Sequence, residues 1–102
     1  MNQLMEQHRT ELERLCRKHR VKTLELFGSA TQREFDPAQS DLDFLVEYLP
    51  LEEGEHASAF FGLLHDLEDL FHRKIDLVMT RAIRDPYFLR GVNETRRVVY
   101  AA

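Results

Sequence analysis

Residues 41–48 alternate as a β-strand should, with Leu42, Phe44 and Val46 on one face, yet the segment opens on two aspartates, Asp41 and Asp43. Carboxylates are poor strand formers, and like charges on one strand face repel. A third aspartate, Asp76, interrupts another apolar strand pattern at 74–79. A fold keeps such acids in strands mainly where a cation offsets them, and a divalent metal is the obvious candidate. The alternative is that Asp41 merely starts a strand, Asp43 is solvated and Asp76 pairs with Lys74 or Arg73.

Side chains at i and i+2 of a strand point to the same face, so Asp41 and Asp43 can present two carboxylates to one point. Magnesium takes oxygen ligands, commonly one or two protein carboxylates together with substrate phosphate and water. Two such ions a few ångströms apart serve an in-line displacement, one at the attacking oxygen and one at the leaving pyrophosphate. Asp76 has the right type and setting to complete the first of these sites. Gly28-Ser29 adds a second element: a strand that ends in Gly-Ser and enters a helix offers backbone N–H groups and a positive helix end to phosphate. The Ser29 hydroxyl can donate to a phosphate oxygen as well.

The remaining chain defines the scaffold. Its 102 residues suit one domain, read here as 1–102, with 43% hydrophobic and 31% charged residues. The spacing predicts an amphipathic helix over 2–19, with Met5, His8, Leu12, Leu15 and Cys16 on its buried stripe. A strand over 21–27 follows, then a short helix over 29–33 and a turn-rich loop over 35–40. The strand over 41–48 also carries Leu45 on its aspartate face, as expected near the centre of a sheet. A helix over 57–72 buries Phe60, Phe61, Leu64, Leu67, Leu70 and Phe71, and a strand over 74–79 comes next. Asp85-Pro86 caps a last helix running to about 99, with Phe88, Leu89, Val92 and Val99 inward. This order predicts an α+β, two-layer fold: a small mixed β-sheet with helices packed against it. Connectivity alone leaves the strand order open.

Composition excludes several functions. A formal charge of −4 argues against a domain whose main task is gripping nucleic acid, since that affinity comes largely from Lys and Arg. Cys16 is the single cysteine, so neither an internal disulfide nor a zinc knuckle can form. It reads as a small core residue. The five histidines lack metal-ligand spacing and read as surface or helix-flank residues. The apolar runs are too short to span a bilayer, and the charged stretch over 3–20 has no signal-peptide core. The expectation is a soluble cytoplasmic protein that meets no membrane.

Leu26 to Tyr48 reads L-F-G-S-A-T-Q-R-E-F-D-P-A-Q-S-D-L-D-F-L-V-E-Y, and Lys74 to Val78 reads K-I-D-L-V. Together with the closing R-R-V-V-Y from Arg96, these stretches resemble the minimal nucleotidyltransferases of the polymerase-beta-like superfamily. The resemblance implies the nucleotidyltransferase fold, with ATP as substrate and two Mg2+ ions. Gly28 and Ser29 would hold the triphosphate, Asp41 and Asp43 the metals, and Asp76 would assist the attacking hydroxyl as the third carboxylate. It further implies a HEPN-domain toxin encoded nearby as partner, silenced by transfer of AMP to one of its tyrosines in a type VII-like toxin–antitoxin pair. Two features depart from the family pattern: eleven residues rather than ten separate Gly-Ser from Asp-x-Asp, and Gln32 stands where arginine is common. The alternative is a non-catalytic antitoxin that neutralises its partner by docking.

Overall fold

The computed structural model describes residues 3–31 and 41–102. Gln32, Arg33 and the loop containing Asp36-Pro37, including the additional spacer residue, lie outside the described residues. Helices α1 (Gln3–Gln7) and α2 (Arg9–Lys18) lead into strand β1 (Val21–Phe27), which ends in a 3-10 turn, Gly28–Thr31. Strand β2 (Leu42–Tyr48), helix α3 (Glu55–Phe71) and strand β3 (Ile75–Met79) follow. A second 3-10 turn, Thr80–Ala82, leads to helix α4 (Pro86–Thr95) and strand β4 (Arg97–Ala101).

The sheet order is β3-β2-β1-β4. β1 pairs antiparallel with both β2 and β4, while β2 pairs parallel with β3 across α3. A parallel pair needs a long crossover, and a helix supplies it. The α+β expectation of a small mixed sheet with helices against it holds.

Alternation divides the sheet into two faces. Leu24, Leu26, Leu42, Phe44, Val46, Ile75 and Leu77 point toward α1, α2 and α3, where Met5, Leu12, Leu15, Cys16, Leu63, Leu67 and Phe71 complete the main core. Phe27 and Leu45 point the other way and pack with Val92 of α4. β2 is therefore apolar on both faces, apart from Asp43 and the exposed Glu47. Cys16 is fully buried, and burial pushes its thiol up to about 12, so it behaves as a core residue.

Four expectations change. The first helix breaks at His8, whose backbone leaves helical geometry and whose ring packs on Phe71 at 5.1 Å while Nδ1 meets the Leu4 carbonyl at 2.9 Å. The central helix begins earlier, after Gly54, and buries Leu63 completely while leaving Phe61 56% exposed. At about 100° per residue, Phe61 lies on nearly the opposite side of α3 from Leu63. The last helix stops at Thr95, and the β-branched run Val98-Val99 joins β4 on the edge of the sheet beside β1. Phe88 and Leu89 are 44% and 37% exposed, so Val92 is the one buried residue of α4. Finally, Asp41 precedes β2 rather than belonging to it.

Candidate active site

β1 ends where β2 begins, because the two run antiparallel with Phe27 opposite Asp43. β3 starts at the same level, with Asp76 beside Asp43 in the parallel register. Three strand ends thus meet at one place: the exit of β1 and the entrances of β2 and β3. Residues directly paired across neighbouring strands point to the same face, so the Asp43 and Asp76 carboxyls lie side by side.

Gly28 closes the site from the β1 side. Its φ of +73° is the left-handed conformation that glycine adopts freely. A Cβ added there would stand 2.6 Å from Asp43 Oδ2, so the turn presses its bare Cα against that carboxylate. Ser29 follows, exposed, at the start of the 3-10 turn.

The electrostatics record the crowding. Burial is the largest cause that pushes the Asp43 carboxyl up to about 6, followed by a hydrogen bond to Asp76, the charge of Asp76 and the charge of Asp41. Lys74 opposes the shift. A half-buried carboxylate beside two others is thus held partly protonated near neutrality, which is the environment a bound cation reverses.

The sequence grouped Asp41, Asp43 and Asp76, and the structure brings the last two together. Asp41 is exposed at the mouth of β2, close enough to act on Asp43 through its charge. Among the described residues, no three Asp, Glu, His or Cys side chains close on a single metal position. The all-oxygen pair Asp43 and Asp76 nevertheless fits magnesium, which needs only one or two protein carboxylates when substrate and water supply the rest. Tyr87, at 80% exposure on α4, is not a core residue.

Sequence reasoning missed two threonines. The Gly28 N–H donates to Thr95 Oγ1 at 2.9 Å, and the Gly28 carbonyl accepts from Thr31 Oγ1 at 2.9 Å. Both backbone polar groups of Gly28 are therefore held by protein, and any amide offered to phosphate belongs to the residues after it. Only the recognition of β4 as a strand would have revealed Thr95. Continuing the register in which Leu26 faces Arg97 brings Thr95 opposite Gly28.

Comparison with known proteins agrees with this fold. The sequence pattern of the nucleotidyltransferase domain family matches residues 8–99. Methanocaldococcus jannaschii MJ0128, provisionally named a protein adenylyltransferase, is 38% identical over 80 residues, covering 78% of each chain. MJ1379 of the same organism carries the same provisional name and is 30% identical, over 83% of this chain and 91% of its own. A solved structure provisionally described as a minimal nucleotidyltransferase superposes with a TM-score of 0.60 at 28% identity, covering 90% of this chain and 89% of that one. The fold also matches a Shewanella oneidensis complex described as a tri-AMPylated HEPN toxin with an MNT antitoxin. There the TM-score is 0.64 and the identity 17%, over 96% of this chain and 73% of that one. On its sequence, its sheet order and its paired strand carboxylates, the chain belongs to the nucleotidyltransferase domain family, as a minimal nucleotidyltransferase.

Proposed function

We propose that residues 1–102 act as one catalytic domain that transfers AMP from ATP to a tyrosine hydroxyl of a HEPN-domain partner, and so act as the antitoxin of a toxin–antitoxin pair. The observation that carries the reading is the Asp43–Asp76 pair set against the bare Cα of Gly28. The relatives named as protein adenylyltransferases and the AMPylated toxin of the S. oneidensis complex support the choice of AMP and of a protein acceptor.

In this reading Asp43 and Asp76, with Asp41 at the rim, would hold Mg2+, which would supply positive charge to offset the triphosphate and the departing pyrophosphate. The chain's own groups do the positioning. Gly28 lets the turn lie directly against the Asp43 carboxylate, so that phosphate held at the turn meets the metal-binding acid, and the exposed Ser29 hydroxyl donates to a phosphate oxygen. Asp76 accepts the proton of the attacking hydroxyl as its oxygen bonds to the α-phosphorus. The bond from that phosphorus to the pyrophosphate breaks on the opposite side. Transfer then rests on positioning and charge, as phosphoryl chemistry generally does.

The test uses purified chain, magnesium, ATP and the product of the neighbouring gene. Label should pass to the partner with the wild type and fall to background with Asp43→Ala. Equal label with both proteins removes the catalytic reading.

A second reading, neutralisation by docking alone, draws on one observation: the described carboxylates do not close as a group of three. It expects the double variant Asp43→Ala/Asp76→Ala to protect cells from the partner as well as the wild type does. Loss of protection while binding persists removes it.

A further inference from the structure

Gly28 is held at both ends of its backbone, and the two anchors differ. Thr31 belongs to the same turn, so its bond to the Gly28 carbonyl is local. Thr95 is 67 residues away, at the last position of α4, and takes the Gly28 N–H at 2.9 Å. Its Oγ1 lies 3.3 Å from the Gly91 carbonyl and 3.4 Å from the Val92 carbonyl, so the hydroxyl proton is directed back into α4 and a lone pair is left for Gly28. The next residue fixes this end of the helix. Arg96 makes a two-pronged ion pair with Glu25 of β1, at 2.6 and 2.9 Å. Its backbone N–H donates to the Val92 carbonyl at 2.8 Å. Thr95 is thereby held between a helix terminus and a strand pairing, and it offers a fixed acceptor to the turn.

The orientation of the Gly28 peptide matters because the Cα beside it has no free space. A methyl group there would overlap Asp43 Oδ2. Rotation of this peptide moves the turn against the carboxylate and changes where the following Ser29 amide and hydroxyl point. A partly buried N–H without an acceptor keeps the full cost of having left water, so the turn would seek another arrangement.

We infer that Thr95 is a positioning residue for nucleotide binding: its hydroxyl fixes the Gly28 peptide and so sets the separation between the Gly28-Ser29 turn and the Asp43 carboxylate. This rests on the nucleotide-transfer reading above. It adds to the site a residue from α4, an element that supplies none of the carboxylates or turn residues.

The test compares wild type, Thr95→Val and Thr95→Ser. Valine keeps the size and branching but loses the acceptor, whereas serine keeps the hydroxyl and loses the methyl. Two quantities are read: the exchange rate of the Gly28 amide by NMR, and the affinity for the non-hydrolysable analogue AMP-PNP with magnesium. Thr95→Val should speed Gly28 exchange and weaken AMP-PNP binding by roughly tenfold, the equivalent of one ordinary hydrogen bond. Thr95→Ser should stay within about twofold of wild type, since the acceptor remains. The inference is overturned if folded Thr95→Val binds AMP-PNP as the wild type does. It is equally overturned if Thr95→Ser is impaired as much as Thr95→Val, because packing rather than the hydroxyl would then be at work. Should Thr95→Val not fold, the serine variant alone decides, by keeping or losing affinity. A wild type that binds no AMP-PNP with magnesium would instead remove the nucleotide-transfer reading, and this inference with it.

Discussion

Asp43 Oδ2 lies where a side chain at Gly28 would begin, 2.6 Å from the position of a Cβ. The exit of β1 and the entrance of β2 are thus interlocked: the carboxylate occupies space that only glycine leaves open, at a backbone φ of +73°.

Gly28→Ala should therefore lose both stability and nucleotide transfer. The left-handed conformation alone costs about 1–2 kcal/mol with a Cβ, and the overlap adds to it. Gly54→Ala is the control, because its φ is +87° with nothing within 4 Å of an added Cβ. It should pay only the conformational cost and keep full activity. Thermal melts and transfer assays on both variants check this; equal effects would contradict the interlock.

Asp43 should make the metal-free protein less stable as pH rises. Its carboxyl is raised to about 6 in the folded chain, against about 3.9 for an ordinary aspartate when unfolded. The folded state then binds more protons at this carboxyl than the unfolded one between those values, so the contribution of Asp43 to stability is greatest below pH 4 and is lost by about pH 6. Asp43→Asn lacks this decline. In EDTA at pH 7.5 it should be more stable than wild type by roughly 1–2 kcal/mol, allowing for solvent screening of a half-exposed group. Magnesium should raise the melting temperature of the wild type by mass action and leave the variant unmoved. Denaturant titrations from pH 4 to 8 provide the measurement.

Breaking the Arg96–Glu25 pair should loosen the edge of the sheet. The side chains are 30% and 14% exposed, so Arg96→Met strands a largely buried carboxylate at a cost of about 2–4 kcal/mol. Arg96→Lys should recover less than half of that loss, because an ammonium cannot reproduce the two-pronged contact. Amide exchange in 97–101 should accelerate in step. Unchanged protection there would show that β4 does not depend on the pair.

α3 offers a contrast between neighbours. Leu63 is fully buried, and Leu63→Ala should cost about 2–5 kcal/mol. Phe61 is 56% exposed, and Phe61→Ala should cost less than about 1 kcal/mol. Chemical denaturation of the two variants measures the difference.

These residues also show what the sequence could and could not convey. β2 and β3 were legible because alternation at period two is strong there, and the aspartates were conspicuous for violating it. The sharing of one face by Asp43 and Asp76 depends on a parallel register that no local pattern encodes. The apolar face of α3 was found but turned too far: Phe60 and Phe61 are adjacent, and periodicity alone cannot choose which of them faces in. β4 was hidden because its Arg-rich start continues the helical pattern of α4, and its strand character is realised only through pairing with β1. Thr95 was lost with it, since a single threonine gains its role from a partner 67 residues away.

The most direct measurement of the central claim is transfer of label from ATP to the proposed HEPN-domain partner with the radioactive phosphate placed at either the α or the γ position. Wild type should label the partner from α-labelled ATP and not from γ-labelled ATP, only with magnesium present, and Asp43→Ala and Asp76→Ala should each lower that label at least a hundredfold (roughly 2.7 kcal/mol of transition-state stabilisation). Label arriving from the γ position, or α-label that persists in both variants, would contradict it.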